Sequence, residues 1–290
     1  MAIARVFPRR TRATPDDAHA FVGAPPERHV QLNLFDKQIH IDEVHVSVAF
    51  TYDIPQAESL ARQWEHIAPV KIGGPAYNEP GGDFTPSLYL KKGYVITSRG
   101  CPNRCWFCGV PAREGYKLRE LPITDGWNIL DDNLLACSEQ HIRAVFGMLT
   151  RQPEKPVFTG GLEARLLKPW HVDLLRESGA KRMYFAYDTP NDYEPLVEAG
   201  RLLRSGGITK ASHRAACYVL IGYRGDTFTK AEKRLTDTVL AGFYPFAMLY
   251  RNTDGEVDRE WRKFQRSWAN PRIVGTKIQE IFCLTERRRH

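Results

Sequence analysis

The chain has no cysteine before Cys101, and of its six cysteines only Cys101, Cys105 and Cys108 lie close together, with Cys137, Cys217 and Cys283 scattered singly. No second pair accompanies the triplet. That argues against structural zinc, which takes a closed set of four ligands, usually as two separated pairs. The nine histidines are dispersed and form no metal spacing. No run approaches the roughly 18–20 apolar residues of a membrane span, and the N-terminus carries no hydrophobic signal segment. A close triplet with three unpaired thiols points to a reducing interior, so cytoplasm is the expected location and no membrane partner is expected.

What is present suits a soluble enzyme. At 290 residues and 42% hydrophobic content, the chain can bury a sizeable core as one large or two unequal units. The 41 basic against 34 acidic residues give a formal charge of +7. The excess collects at the ends, at Arg5, Arg9, Arg10 and Arg12, and at Arg259, Arg262, Lys263, Arg266, Arg272 and Arg287 to Arg289. With Trp261, Phe264 and Trp268 nearby, this mixture is compatible with phosphate tracking and base stacking. The favoured reading is an amphipathic closing helix with a basic outer face and an inward Trp-Phe-Trp side.

The run from Ser98 to Gly109 contains the triplet as C-x3-C-x2-C, with Gly100, Pro102 and Gly109 suited to a compact loop. Thiolates are the soft ligands that iron–sulfur clusters require. Three on one loop hold three corners of a cluster and leave a fourth free for a ligand. A zinc site and inert buried thiols are the alternatives.

At these residues the sequence resembles the radical S-adenosylmethionine superfamily, whose signature is C-x3-C-x-aromatic-C; Phe107 fills the aromatic place. The resemblance implies that Cys101, Cys105 and Cys108 ligate a 4Fe-4S cluster whose free iron chelates S-adenosylmethionine. It further implies that one electron, from an external flavodoxin- or ferredoxin-like donor, cleaves the sulfonium to a 5′-deoxyadenosyl radical that abstracts hydrogen from a substrate.

Beyond the loop, apolar and β-branched runs alternate with helix-length amphipathic stretches, the pattern of repeated βα units. Strands are expected at Tyr94–Thr97, Trp127–Leu130, Pro156–Thr159, Arg182–Ala186, Cys217–Ile221 and Pro245–Tyr250. Helices are expected near Ser138–Thr150, Lys168–Ser178, Asn191–Arg204, Thr229–Ala241 and Asp258–Ala269, with Ser138 as an N-cap and Gly179, Gly206 and Gly242 past C-terminal ends. Right-handed crossovers would curl six strands into an α/β partial (βα)6 barrel, with reactive groups at the C-terminal strand ends. Upstream, Val44–Phe50, Ile54–His66 and Val70–Ile72 read as one βαβ unit, a Rossmann-like fragment. The expected division is an N-terminal extension over residues 1–87, the barrel over 88–268 and a basic tail over 269–290.

The strand ends supply candidate contacts. Asp131, Asp132 and Asn133, after the second strand, match in place the superfamily's element for the methionine amino group, and in spelling the branch related to cobalamin-dependent enzymes and methylthiotransferases. Gly160, Gly161 and Glu163 follow the third strand. The glycines would let a ligand approach and Glu163 would contact substrate or cofactor; the alternative is a turn with a solvated glutamate. Asp188 matches the position where members of the superfamily place a polar side chain on the ribose hydroxyls; capping the next helix is the alternative. Tyr218 to Asp226 resembles the superfamily's element that backs the adenine, with Val219 in place of its first glycine and Asp226 as its acid, which implies that Gly222 lets the adenine approach with Phe107 against it. Arg99, Arg113 and Arg224 could reach a carboxylate or phosphate, or form surface ion pairs. Cys137 is a candidate hydrogen-atom donor or a buried thiol.

Cobalamin is not expected. The nearest match to Asp-x-His-x-x-Gly is Asp17 to Gly23, where the glycine arrives one residue late, no strand clearly leads in, and His19 reads as an exposed loop residue. Sulfur insertion is disfavoured, since no second cysteine set or extra C-terminal domain is present. Two functional readings follow. One is a radical enzyme whose substrate is a nucleotide, nucleic acid or small metabolite; the other is a non-catalytic iron–sulfur protein that binds nucleic acid or carries electrons. Acidic and glycine-rich strand ends favour the first.

Overall fold

The computed structural model describes residues 2–26, 40–252 and 254–287. The protein is mixed α/β, with two parallel sheets and eight helices among the described residues. The N-terminal sheet contains β1 (Ile3–Phe7), β2 (Ala20–Val22), β3 (Glu43–Ser47) and β4 (Val70–Gly73), with α1 (Ile54–Trp64) between the last two. Its strand order is β2-β1-β3-β4, parallel throughout. Val6, Val44, Val46 and Trp64 form its buried core.

This sheet is larger than the single βαβ unit expected from sequence, and β1 does lead into the loop before His19. The strand is disguised by a charge at its centre. Arg5 is buried because its guanidinium donates to the carbonyls of Ser87 (2.9 Å) and Leu88 (3.0 Å) and pairs with Asp17. A buried charge needs such partners, and none is visible from spacing. His19 is half-buried, not exposed, with Nδ1 in the interior.

The second region comprises, in chain order, β5 (Tyr94–Val95), β6 (Ser98–Arg99), α2 (Val110–Glu114), β7 (Arg119–Glu120), β8 (Asn128–Ile129) and α3 (Glu139–Leu149). It continues with β9 (Val157–Phe158), α4 (Pro169–Glu177), β10 (Arg182–Ala186), α5 (Tyr193–Ser205), β11 (Ala215–Ile221), α6 (Phe228–Ala241), β12 (Tyr244–Leu249), α7 (Arg259–Ala269) and α8 (Pro271–Arg287). The six expected strands are all present and pair in consecutive order, β5-β8-β9-β10-β11-β12, all parallel. The short pair β6 and β7 is antiparallel and frames the cysteine loop.

Local chemistry explains the element ends. Ser138 accepts from the His141 amide (3.2 Å) and Thr227 from the Lys230 amide (3.2 Å), so α3 and α6 start where a side chain satisfies an orphan donor. Gly242 closes α6 with φ +103°, as a left-handed cap requires; at the end of α5 the positive φ falls on Gly207 rather than Gly206. The first strand of this sheet is shorter than expected because the Thr97 amide donates to Asp131 Oδ1 at 2.6 Å instead of to a ladder carbonyl.

The segment read as a basic tail contains α8, and Arg288 and Arg289 lie outside the described residues. On α7, Trp268 is 1% exposed and Trp261 and Phe264 pack against the core. The inward Trp-Phe-Trp side is therefore present. Among the described residues no helix is long and apolar enough to cross a membrane.

Candidate active site

The cysteine loop leaves β6 and sits at the C-terminal edge of the six-stranded sheet, where β8, β9, β10 and β11 also end. Two contacts brace its crown to the far strands. The Trp106 ring lies 5.4 Å from that of Tyr223, after β11, and 5.7 Å from that of Tyr250, after β12. Its other face meets Phe107 edge-on at 5.3 Å. Gly100 makes the sharp entry possible: φ is +85°, and a Cβ there would lie 2.3 Å from the Lys117 carbonyl oxygen.

The three thiols influence one another. Partial burial, then the neighbouring Cys108 and Cys101, push the Cys105 thiol up to about 11. Burial also raises Cys108, against the Val110 amide, which donates to its Sγ at 3.5 Å. Cys105 and Cys108 therefore ionise poorly until a cationic centre takes the place of their protons. Among the described residues no three His, Cys, Asp or Glu side chains converge on one metal-ion position.

The three residues after β8 divide sharply. Asp131, 1% exposed, spends both oxygens on the adjoining strand: Oδ1 accepts from the Thr97 amide, and Oδ2 accepts from the Thr97 hydroxyl (2.6 Å) and Ser98 hydroxyl (2.8 Å). Burial raises its proton affinity against those bonds. Asp132 accepts from the Gly100 amide at 2.8 Å and from Arg113 at 3.1 Å. Both carboxylates therefore hold the loop in shape.

Asn133 alone turns to the cysteines. Its Nδ2 donates to Cys101 Sγ at 3.4 Å and to Glu163 Oε2 at 2.6 Å, while its Oδ1 is buried without a partner among the described residues. Glu163 also accepts from Asn103 Nδ2 at 3.0 Å. Asn103 lies inside the cysteine loop, and no spacing rule singled it out. Gly160 and Gly161 deliver Glu163 here for different reasons. A Cβ on Gly160 would lie 2.3 Å from the Asp131 carbonyl oxygen, so its glycine serves strand contact rather than ligand approach; Gly161 has φ +101° and turns the chain.

Asp188 is not the helix cap. Thr189 and Asp192 form that capping pair, whereas Asp188 Oδ1 accepts from the Leu220 amide of the neighbouring strand at 2.8 Å. Burial, opposed by that amide, pushes its carboxyl up to about 6. Gly222, φ +75°, would place a Cβ 3.1 Å from the Trp261 ring; its amide donates to Asp226, which pairs with the buried Arg234 at 2.8 Å. A cleft of about 580 Å3 opens there, lined by Gly222, Arg224, Tyr250, Asp258 and Trp261.

Arg99 and Arg113 converge with Arg119 on Glu114, at 3.7, 3.1 and 3.5 Å. Cys137 is 9% exposed, and its thiol is pushed up to about 12 by burial, as a packed thiol is. The chain matches no protein-family model and no curated protein.

The donor set fits the group implied by the sequence. Three soft sulfurs share one loop, and an orphaned amide oxygen with a carboxylate beside it suits a cation carrying N–H donors.

Proposed function

We propose that the protein is a radical S-adenosylmethionine enzyme on a partial (βα)6 barrel preceded by a Rossmann-like unit. The observation that carries this reading is the contact of Asn133 with Cys101 and Glu163, with the Asn133 oxygen left unpartnered. Cys101, Cys105 and Cys108 would hold a 4Fe-4S cluster. Asn133 Oδ1 and Glu163 would accept from the amino group of S-adenosylmethionine, Asp188 would accept from ribose hydroxyls, and the cleft at Gly222 would take the adenine. When bound, the pair supplies one-electron sulfonium cleavage and hydrogen abstraction from a substrate, with the electron from a flavodoxin- or ferredoxin-like donor.

Curvature supports the barrel. Side chains from all six parallel strands, including Tyr94, Asn128, Val157, Tyr184, Tyr218 and Phe246, line one cavity. Trp106, after the first of them, touches rings after the last two.

The residues on hand have defined tasks. Asp131 and Asp132 fix the loop through its amides and hydroxyls, so the thiols are presented before any ligand arrives. Trp106, through its ring contacts with Tyr223 and Tyr250, would hold the crown of the loop over the strand ends. The test is anaerobic reconstitution with iron and sulfide, reduction with S-adenosylmethionine, and assay for 5′-deoxyadenosine. Wild type is expected to produce it and Cys105→Ala to produce none. A well-formed cluster that binds no S-adenosylmethionine would overturn the proposal in favour of a non-catalytic cluster protein.

A further inference from the structure

A cavity of about 1130 Å3 lies between the concave face of the six-stranded sheet and the C-terminal ends of β1 and β3, the point where the N-terminal strand order reverses and ligands of parallel sheets commonly bind. Its wall is aromatic at mid-height. Tyr184 and Tyr218 stack at 4.4 Å with planes 3° apart, and Phe246 stands edge-on to both.

One turn of side chains lower, Tyr94, Asn128, Val157 and Arg182 are in register across four adjacent strands. Asn128 Oδ1 is buried there without a partner among the described residues. Arg182 lies two strand spacings away, about 10 Å, with Lys181 beside it and Arg12 on the opposing wall. Both Arg12 and Arg182 bear on the Tyr218 hydroxyl.

These three cations have no carboxylate partner among the described residues, unlike the others around the cavity. Arg9 is matched by Asp53, Lys71 by Glu43, Arg99 by Glu114, and Arg113 by Asp132. Glu79 and Asp83 also border the cavity, but on the lip formed by Gly74 and Gly82, where Glu79 accepts from the Gly74 amide.

We propose that this cavity binds a free nucleoside monophosphate, with its phosphate between Arg12, Lys181 and Arg182, its base on the Tyr184–Tyr218 wall and a base N–H on Asn128 Oδ1. That the nucleotide is the substrate rests on the radical-enzyme reading; that it binds does not. A dianion answers three uncompensated cations, a planar ring answers a stacked pair, and a donor answers an orphaned carbonyl. Enclosure between two sheets favours a free nucleotide over a polymer.

The test is calorimetric titration of the full chain with the four common ribonucleoside 5′-monophosphates, their nucleosides and a short single-stranded RNA. At least one monophosphate is expected to bind more tightly than its nucleoside and the RNA, and to do so in the presence of saturating S-adenosylmethionine. Arg182→Gln is expected to weaken the monophosphate by about 10- to 100-fold while leaving the nucleoside unchanged. Tyr218→Leu should weaken both, with circular dichroism verifying its fold. Cys105→Ala should leave all nucleotide binding unchanged, whereas a wild-type protein that binds the nucleotide but forms no 5′-deoxyadenosine would sink the radical reading alone. The site itself is overturned if no monophosphate binds, if S-adenosylmethionine displaces it, if RNA binds more tightly, if folded Tyr218→Leu and Arg182→Gln both bind as wild type, or if Cys105→Ala loses binding.

Discussion

Replacing Asp188 by asparagine is expected to stabilise the folded protein at neutral pH and to impair its cofactor chemistry. The carboxyl sits beneath the strand ends, half-covered, with one firm hydrogen bond from the Leu220 amide. Burial is the dominant influence and raises its proton affinity; Asp192 reinforces the rise, and the Leu220 amide and Arg234 oppose it, leaving the group at about 6 against an ordinary 3.8. The native state therefore holds this proton to higher pH than the unfolded chain. Stability contributed by the group is full below about pH 4, declines as pH rises through about 6, and is then lost. The gap corresponds to roughly 3 kcal/mol above about pH 7. Asparagine keeps the shape and the oxygen that receives Leu220 but carries no charge. Denaturant midpoints of the two proteins should thus coincide near about pH 4, with the variant higher near about pH 8. A variant no more stable at the upper pH, or more stable by the same amount at both, would refute the reasoning.

Other outcomes can be checked alongside. Asp131→Ala should cost about 2–5 kcal/mol in urea unfolding, because it strands the Thr97 amide, the Thr97 hydroxyl and the Ser98 hydroxyl in the interior. Glu163→Gln is expected to weaken S-adenosylmethionine binding by about tenfold or more in equilibrium dialysis of the reconstituted protein, with iron content unchanged. Iron uptake measured by visible absorbance should survive Cys137→Ala and fail in Cys101→Ala. Trp268→Ala should lower stability by about 3–5 kcal/mol, read as a fall in the thermal midpoint.

The six parallel strands and the helices between them were legible because each carries its own periodicity and its own end signals, as Ser138 and Gly242 illustrate. The N-terminal sheet was half hidden. Arg5 interrupts the apolar pattern of β1, and its partners Ser87, Leu88 and Asp17 are supplied by remote or irregular segments that pattern reading does not join. The cysteine triplet announced itself by spacing alone. Its neighbours did not: Asp131, Asp132 and Asn133 are equivalent as letters, and only folding shows two carboxylates spent on backbone and hydroxyl donors and one amide left facing Cys101. Asn103 carried no signal at all, since an asparagine in a loop is ordinary turn chemistry.

The bracing of Trp106 against Tyr223 and Tyr250 has a consequence for the making of the protein. The cysteine loop leaves the ribosome long before Tyr250 does, by roughly 10–30 s at common elongation rates. Throughout that interval the Trp106 ring lacks the Tyr223 and Tyr250 rings that hold it, so the crown of the loop is unbraced. The loop therefore takes its final geometry late in synthesis, and β12 is the element whose arrival completes the brace.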